Sequence, residues 1–145
     1  MKKLELKHVA PYLPYELLIF DSHFGRKNIK MVLENDTFDI SKGVKVQDVL
    51  GGECFKPILR PISDLIKEIE VNGKKFVPVE YLNDNYYVQF SNDIEDINEL
   101  RPADGLREFY LDDILEFTSK LFEWHFDVFG LIKDNLATDI NTLKK

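Results

Sequence analysis

The spacing of apolar residues changes several times along the chain, and each change predicts an element. Leu4 to Ala10 reads as a short helix stopped by Pro11 and Pro14. Four short runs rich in Val, Ile, Leu and Phe follow: Glu16–Asp21, Asn28–Glu34, Thr37–Ile40 and Val44–Leu50. Turn-forming residues separate them, as in Phe24-Gly25-Arg26 and Ser41-Lys42-Gly43. This spacing predicts an antiparallel meander with one buried face. Ile62, Leu65, Ile66 and Ile69 then fall at helical intervals, with Pro61 at the start and Asn72-Gly73 at the end, which predicts a helix near 61–70. Phe76–Leu82 and Tyr86–Phe90 read as further extended pieces within 75–90, with Pro78 confining the first to a sheet edge. Asn92-Asp93-Ile94-Glu95 resembles a capping box, and Ala103-Asp104-Gly105 a turn. The strongest helical pattern opens at Asp112 or Asp113 and runs to Phe129, with Gly130 ending it. The sum is an α+β fold: a small antiparallel sheet, with strands mainly in 15–51, packed against helices near 61–70 and 112–129.

On a helical wheel the 112–129 segment has an apolar arc about 200° wide, roughly twice the stripe a surface helix needs. Ile114, Leu115, Phe122, His125, Phe126 and Phe129 occupy one part of it, and Phe117, Leu121, Trp124 and Val128 the other. Such a helix is either central and covered on two sides, or it offers its Trp124 flank to a partner, a second copy included. On the same wheel His125 points inward and Asp127 lies nearly opposite, toward solvent. An intact helix therefore prevents a His–Asp dyad. The expected state of His125 is a core histidine bonded to a carbonyl or side chain of another segment, with a ligand-binding or catalytic role as the alternative.

Composition adds limits. The 145 residues are enough for one domain with a single core, with a β-rich half over 1–55 and an acidic helical half over 56–145. Apolar and charged fractions of 44% and 31% are those of an ordinary soluble globular protein. Cys54 is the only cysteine, which excludes an internal disulfide or a cysteine zinc cage and fits a reducing cytosol. No apolar run suggests a signal peptide or a membrane span. Net charge is −7 and uneven: residues 1–60 carry ten Lys or Arg against eight Asp or Glu, and residues 61–145 carry nine against eighteen. An acidic field repels phosphate backbones, so direct nucleic-acid binding is not expected. It suits a solvated surface or docking onto a basic protein.

Motifs with chemical meaning are scarce. Gly51-Gly52 lacks the residues of a phosphate loop, and no Gly-x-Ser-x-Gly elbow occurs. His8, His23 and His125 show no metal-ligand spacing, and the acidic stripe Asp112, Glu116, Glu123, Asp127 has Lys120 in its middle. No metal or cofactor is expected. Cys54 is read as a small buried apolar residue. Arg60, between Leu59 and Pro61, is expected to be half-buried against a carboxylate or carbonyls, as an anchor or an anion contact. Tyr81, Tyr86, Tyr87 and Phe90 form an aromatic group among Asn and Asp residues, suited equally to recognition and to a core edge.

Four stretches combine uncommon residues: LKHVAPYLPY (6–15), KPILRPISDLIKEI (56–69), WHFDVFGLI (124–132) and LATDINTL (136–143). Together they resemble a family of small bacteriophage and prophage proteins in which a variable β-rich part precedes a Leu-Arg-Pro segment and a His-Phe-Asp-Val-Phe-Gly-Leu-Ile tail. They cover roughly a third of the chain, in order. Ile62 and Ile66 stand where Leu- and Thr-like residues are expected. The resemblance implies phage origin and the host cytoplasm. It carries no established activity, so no catalytic residue transfers.

The expected function is therefore non-enzymatic: binding of a host or phage protein in the host cytoplasm, antagonism of a host defence component being one form. A homodimer is compatible with the wide apolar arc. The candidate contact residues are Arg60, Tyr86, Tyr87, Trp124 and His125. One alternative is a nucleotide-binding or sequestering protein, with Arg26, Lys27, Lys30 and Arg60 as cations and Tyr86 and Tyr87 for stacking. Others are nucleic-acid mimicry by the acids between Asp84 and Asp127, and a hydrolase built on His125.

Overall fold

The computed structural model describes residues 3–32, 43–51, 54–86, 88–89, 101–102 and 111–143. The fold is α+β. Helix α1 (Leu6–Val9) runs into a 3₁₀ helix over Ala10–Tyr15 that contains both Pro11 and Pro14. The prolines thus tighten the helix rather than ending it, because short 3₁₀ turns need fewer backbone donors. Strands β1 (Leu18–Asp21) and β2 (Arg26–Val32) form an antiparallel hairpin. Along β1, Ile19 and Asp21 are buried while Leu18 and Phe20 are partly exposed, the alternation of a half-buried strand.

The expected strand over Val44–Leu50 is short. β3 (Val44–Lys45) gives way to α2 (Val46–Gly51), which buries Val46 and Val49, three residues apart on one helical face. Gly43 precedes it at φ +114°, where a Cβ would lie 2.7 Å from a Val32 methyl, so only glycine fits. Strand β4 (Phe55–Leu59) completes an antiparallel centre, β2-β1-β4. The outer strands, β3 beside β2 and β9 (Thr138–Asp139) beside β4, pair in parallel, giving the order β3-β2-β1-β4-β9.

The segment after β4 departs from expectation. In place of a helix over 61–70 there is a 3₁₀ helix (Ile62–Ile66), then an antiparallel hairpin of β5 (Ile69–Val71) and β6 (Lys74–Phe76). The helical interval was misleading because a 3₁₀ turn also stacks residues three apart, so Ile62 and Leu65 are buried, and Ile69 reaches the same core from a strand. Asn72-Gly73, both at positive φ, is the hairpin turn between them. Of the expected extended piece Phe76–Leu82 only Phe76 lies in a strand: α3 (Pro78–Tyr86) starts with Pro78 in its first turn, where a missing N–H costs nothing. Beyond it, β7 (Val88–Gln89) pairs with β8 (Arg101–Pro102). Thr37–Ile40, Asn92–Glu95, Ala103–Gly105 and the aromatics Tyr87 and Phe90 lie outside the described residues.

Helix α4 (Leu111–Glu123) stops six residues before Phe129. His125 takes the left-handed conformation, φ +60°, and supplies the cap. Its N–H bonds the Phe122 carbonyl at 3.0 Å, and the Phe126 N–H reaches back to Leu121 at 2.9 Å, the pair of bonds that closes a helix on a left-handed residue. Leu121 and Phe126 are both fully buried, the apolar contact that accompanies such a cap. Two apolar clusters result. One, around Val9, Tyr12, Leu17, Ile19 and Leu59, lies on the sheet; the other, around Leu65, Leu82, Leu121, Trp124 and Phe126, lies under α3 and α4. No helix among the described residues is long and apolar enough to cross a membrane.

Candidate functional site

Three of the four stretches of uncommon residues, 6–15, 56–69 and 124–132, meet at the turn after α4, and the fourth, 136–143, packs on the second of them. The backbone of Arg60 brackets that turn: its N–H donates to the His125 carbonyl at 2.7 Å, and its carbonyl accepts from the Asp127 N–H at 2.8 Å. The Tyr12 hydroxyl donates to the Phe126 carbonyl and accepts from the Val128 N–H at 3.3 Å. Burial raises its pKa well above the ordinary phenol value, and the nearby Asp127 adds to that rise. From 136–143, β9 pairs with β4, and the Asn141 amide donates to Asp64 at 2.8 Å. These uncommon residues build the junction between segments distant in sequence.

Asp127 corrects the wheel. With α4 ended at Glu123, Asp127 does not face solvent. It is 5% exposed and accepts from the N–H groups of Leu131 (2.7 Å) and Ile132 (3.0 Å), capping the next turn. Burial raises its pKa above the ordinary carboxylate value, against the lowering effect of those amides. His125 does turn inward, as expected, and bonds a backbone carbonyl: Nε2 lies 2.7 Å from the Tyr15 carbonyl. A carbonyl only accepts, so Nε2 carries the proton in the neutral ring. Burial, reinforced by the charge of Arg60, holds the His125 pKa below its ordinary value, despite the Tyr15 carbonyl and Glu16.

Arg60 is half-buried, as expected. Its Nε donates to the Trp124 carbonyl (3.0 Å) and its Nη2 to the Glu70 carbonyl (3.1 Å). Burial lowers its pKa, offset in part by Asp64, but a guanidinium stays charged. Trp124 is 4% exposed: Phe76 and Tyr81 pack on its ring at centroid distances of 5.0 and 5.2 Å. The chain itself covers the flank that could have met a partner. Cys54 is exposed, not buried.

Arg60, Trp124 and His125 line one cleft of about 400 Å³, between the end of the first 3₁₀ helix, the β5–β6 turn and the α4 cap. Pro14, Tyr15, Glu16, Leu18, Val71 and Asn72 complete it with Glu123. A neighbouring depression of about 370 Å³ shares Tyr15 and Glu123 and contains Tyr86, Leu115 and Lys120. Burial raises the Tyr86 pKa, with Tyr81 and Glu116 adding to it. The cations proposed for a nucleotide do not join Arg60: Arg26 pairs with Asp21 at 2.6 Å, Lys27 donates to the Leu143 carbonyl, and Lys30 faces Glu16. Among the described residues, no three His, Cys, Asp or Glu side chains are grouped to hold a metal.

Sequence reasoning missed Tyr15, Glu16 and Asn72 as cleft residues. Glu16, Asn72 and His125 are three of the five non-glycine residues with positive φ among those described. Asn-Gly was the available signal for the turn at Asn72. Nothing local marks Glu16 or Tyr15, which reach the cleft only through the fold. No protein-family profile, no curated protein and no solved structure matches this chain.

Proposed function

We propose that this chain is a non-enzymatic accessory protein of bacteriophage or prophage origin that acts in the host cytoplasm by binding a basic protein, such as a component of host defence. The observation that supports this reading is an apolar ridge set among carboxylates on α4. Leu115 is 58% exposed, Phe122 follows seven residues later on the same helical stripe, and Phe129 is 43% exposed with its ring 5.9 Å from that of Phe122. Asp112 and Glu116, both exposed, flank the start of this ridge. Apolar surface rimmed by one sign of charge suits a partner with the opposite sign around an apolar contact. Arg60, His125 and Asp127, the polar groups most open to a catalytic reading, hold backbone groups in place.

The test is co-purification from phage-host lysate with the wild-type protein and with Leu115→Glu in parallel, followed by reconstitution with the captured protein. The expected result is a complex of defined stoichiometry in native mass spectrometry that weakens with added salt and is lost in Leu115→Glu. Equal capture by both proteins, or no reconstituted complex, overturns the reading.

A further inference from the structure

We propose that the cleft beneath the α4 cap binds a carboxylate carried on an apolar body, with Arg60 as the residue that anchors the anion. The inference starts from a guanidinium that feels the charge of Asp64 but makes no ion pair among the described residues. Arg60 is half-buried in the cleft wall, yet no carboxylate among the described residues lies within ion-pair distance of it. Its Nε and Nη2 are fixed by the carbonyls of Trp124 and Glu70, which set the plane of the guanidinium. Nη1 and the second N–H of Nη2 have no hydrogen-bond partner among the described residues. A planar carboxylate matches such a fork.

Charge and shape narrow the ligand further. Glu16 is exposed and Glu123 partly exposed at the rim, and each faces a lysine, Lys30 at 3.4 Å and Lys120 at 3.2 Å. The rim glutamates are thereby paired, and Arg60 is the cationic group that lines the cleft. One guanidinium matches a single negative charge better than a doubly charged phosphate, which would leave its second charge unpaired. Leu18, Val71 and Trp124 supply an apolar wall for the rest of the ligand. A volume of about 400 Å³ lies within the range of small-molecule sites. Glu16, Asn72 and His125 all hold left-handed backbone at this cleft.

Trp124 is the only tryptophan, so its emission reports directly on the cleft. The wild-type protein is titrated with hexanoate and 3-phenylpropionate, with the matched amides, with inorganic phosphate, and with a short apolar peptide bearing a free or an amidated C-terminus. The expected result is a saturable change with carboxylates, binding at least about tenfold weaker with the amides, and no saturation with phosphate. Arg60→Gln is expected to lose at least about tenfold in affinity. Because Arg60 also holds two carbonyls, Glu123→Lys provides a second variant at the exposed rim, expected to tighten carboxylate binding at low ionic strength. Binding of free acids alone assigns a small-molecule ligand, and binding of the free-terminus peptide alone assigns a partner's chain end. Equal binding of acids and amides, unchanged affinity in folded Arg60→Gln or in Glu123→Lys, or no saturable change with any carboxylate overturns the proposal. None of these outcomes depends on the ridge at Leu115.

Discussion

Two buried aspartates do the same local job at opposite places and meet opposite electrostatics. Asp21, at the end of β1, is 1% exposed and accepts from the His23 and Phe24 N–H groups at 3.0 and 3.3 Å. Asp127, after the α4 cap, accepts from the Leu131 and Ile132 N–H groups. Burial pushes both pKa values up. At Asp21 the two-pronged contact from Arg26, together with the amides, outweighs burial and holds the pKa below the ordinary value. At Asp127 the amides of Leu131, Ile132 and Gly130 act without a cation, Asp134 adds a raising charge, and burial prevails. At Asp127 the backbone donors do not offset desolvation, whereas at Asp21 the guanidinium and the amides together do. The consequences for stability differ as well. The amides that Asp21 caps belong to exposed residues and can turn to water. The Leu131 N–H is bonded in a buried setting and has no such recourse.

The largest expected effect breaks this comparison directly. Asp127→Ala should lower the unfolding free energy by about 2–4 kcal/mol, because it leaves buried amides unsatisfied. Asp21→Ala should cost only about 1–2 kcal/mol, its ion pair with the half-exposed Arg26 being screened by solvent. Urea titrations of both variants check this, and the reverse order would show that the ion pair outweighs the buried cap.

His125 gives a finer test of the same junction. His125→Asn keeps a residue that tolerates left-handed backbone and loses the bond to Tyr15 and the ring contact with Tyr12, a cost of about 1 kcal/mol. His125→Ala adds backbone strain and should be about 1 kcal/mol worse. Equal midpoints for the two variants would mean that the cap conformation contributes nothing.

The smallest effects lie in the pH dependence. The folded-state pKa of His125 is lowered, so its contribution is full above the unfolded value of about 6.5 and is lost as pH falls. Asp127, with a raised folded-state pKa, acts in the opposite sense and adds stability as pH falls toward about 4. The contribution of Asp21 is complete above about 4 and is lost only as pH falls through its lowered value. Melting temperatures recorded between pH 7 and 3 should therefore fall more steeply for Asp127→Asn than for the parent above pH 4. His125→Asn should flatten the curve between pH 7 and 5, and Asp21→Asn should flatten it only at the acid end.

Much of the candidate cleft was legible as residues but not as a place. Arg60 stood out as a charge among apolar neighbours, and His125 and Trp124 as unusual members of an apolar arc; all three line the cleft. Tyr86 lies in the adjoining depression instead. Tyr15, Glu16 and Asn72 carry no local signal of a site, because each enters the cleft through a backbone turn whose geometry depends on what packs against it. The end of α4 was misplaced for a related reason. Gly130 is the residue that sequence rules favour for a cap, but the bond of the His125 ring to Tyr15 and the burial of Phe126 against Leu121 accompany the cap at His125.

Apolar periodicity and turn residues by themselves determined the α+β class, the extended runs that become β1 and β2, and the existence of α4, because each depends on which side chains share a face over a few residues. Strand β4 and its pairing with β1 lie outside the strands predicted from the sequence. Only the tertiary structure decided the helix end at Glu123, the hairpin in place of a helix after Ile66, the cover over Trp124 and the burial of Asp127. The bonds that set these come from more than fifty residues away in several cases, as from Tyr12 to Phe126 and from Arg60 to Asp127. No local pattern can encode which distant carbonyl will be within reach.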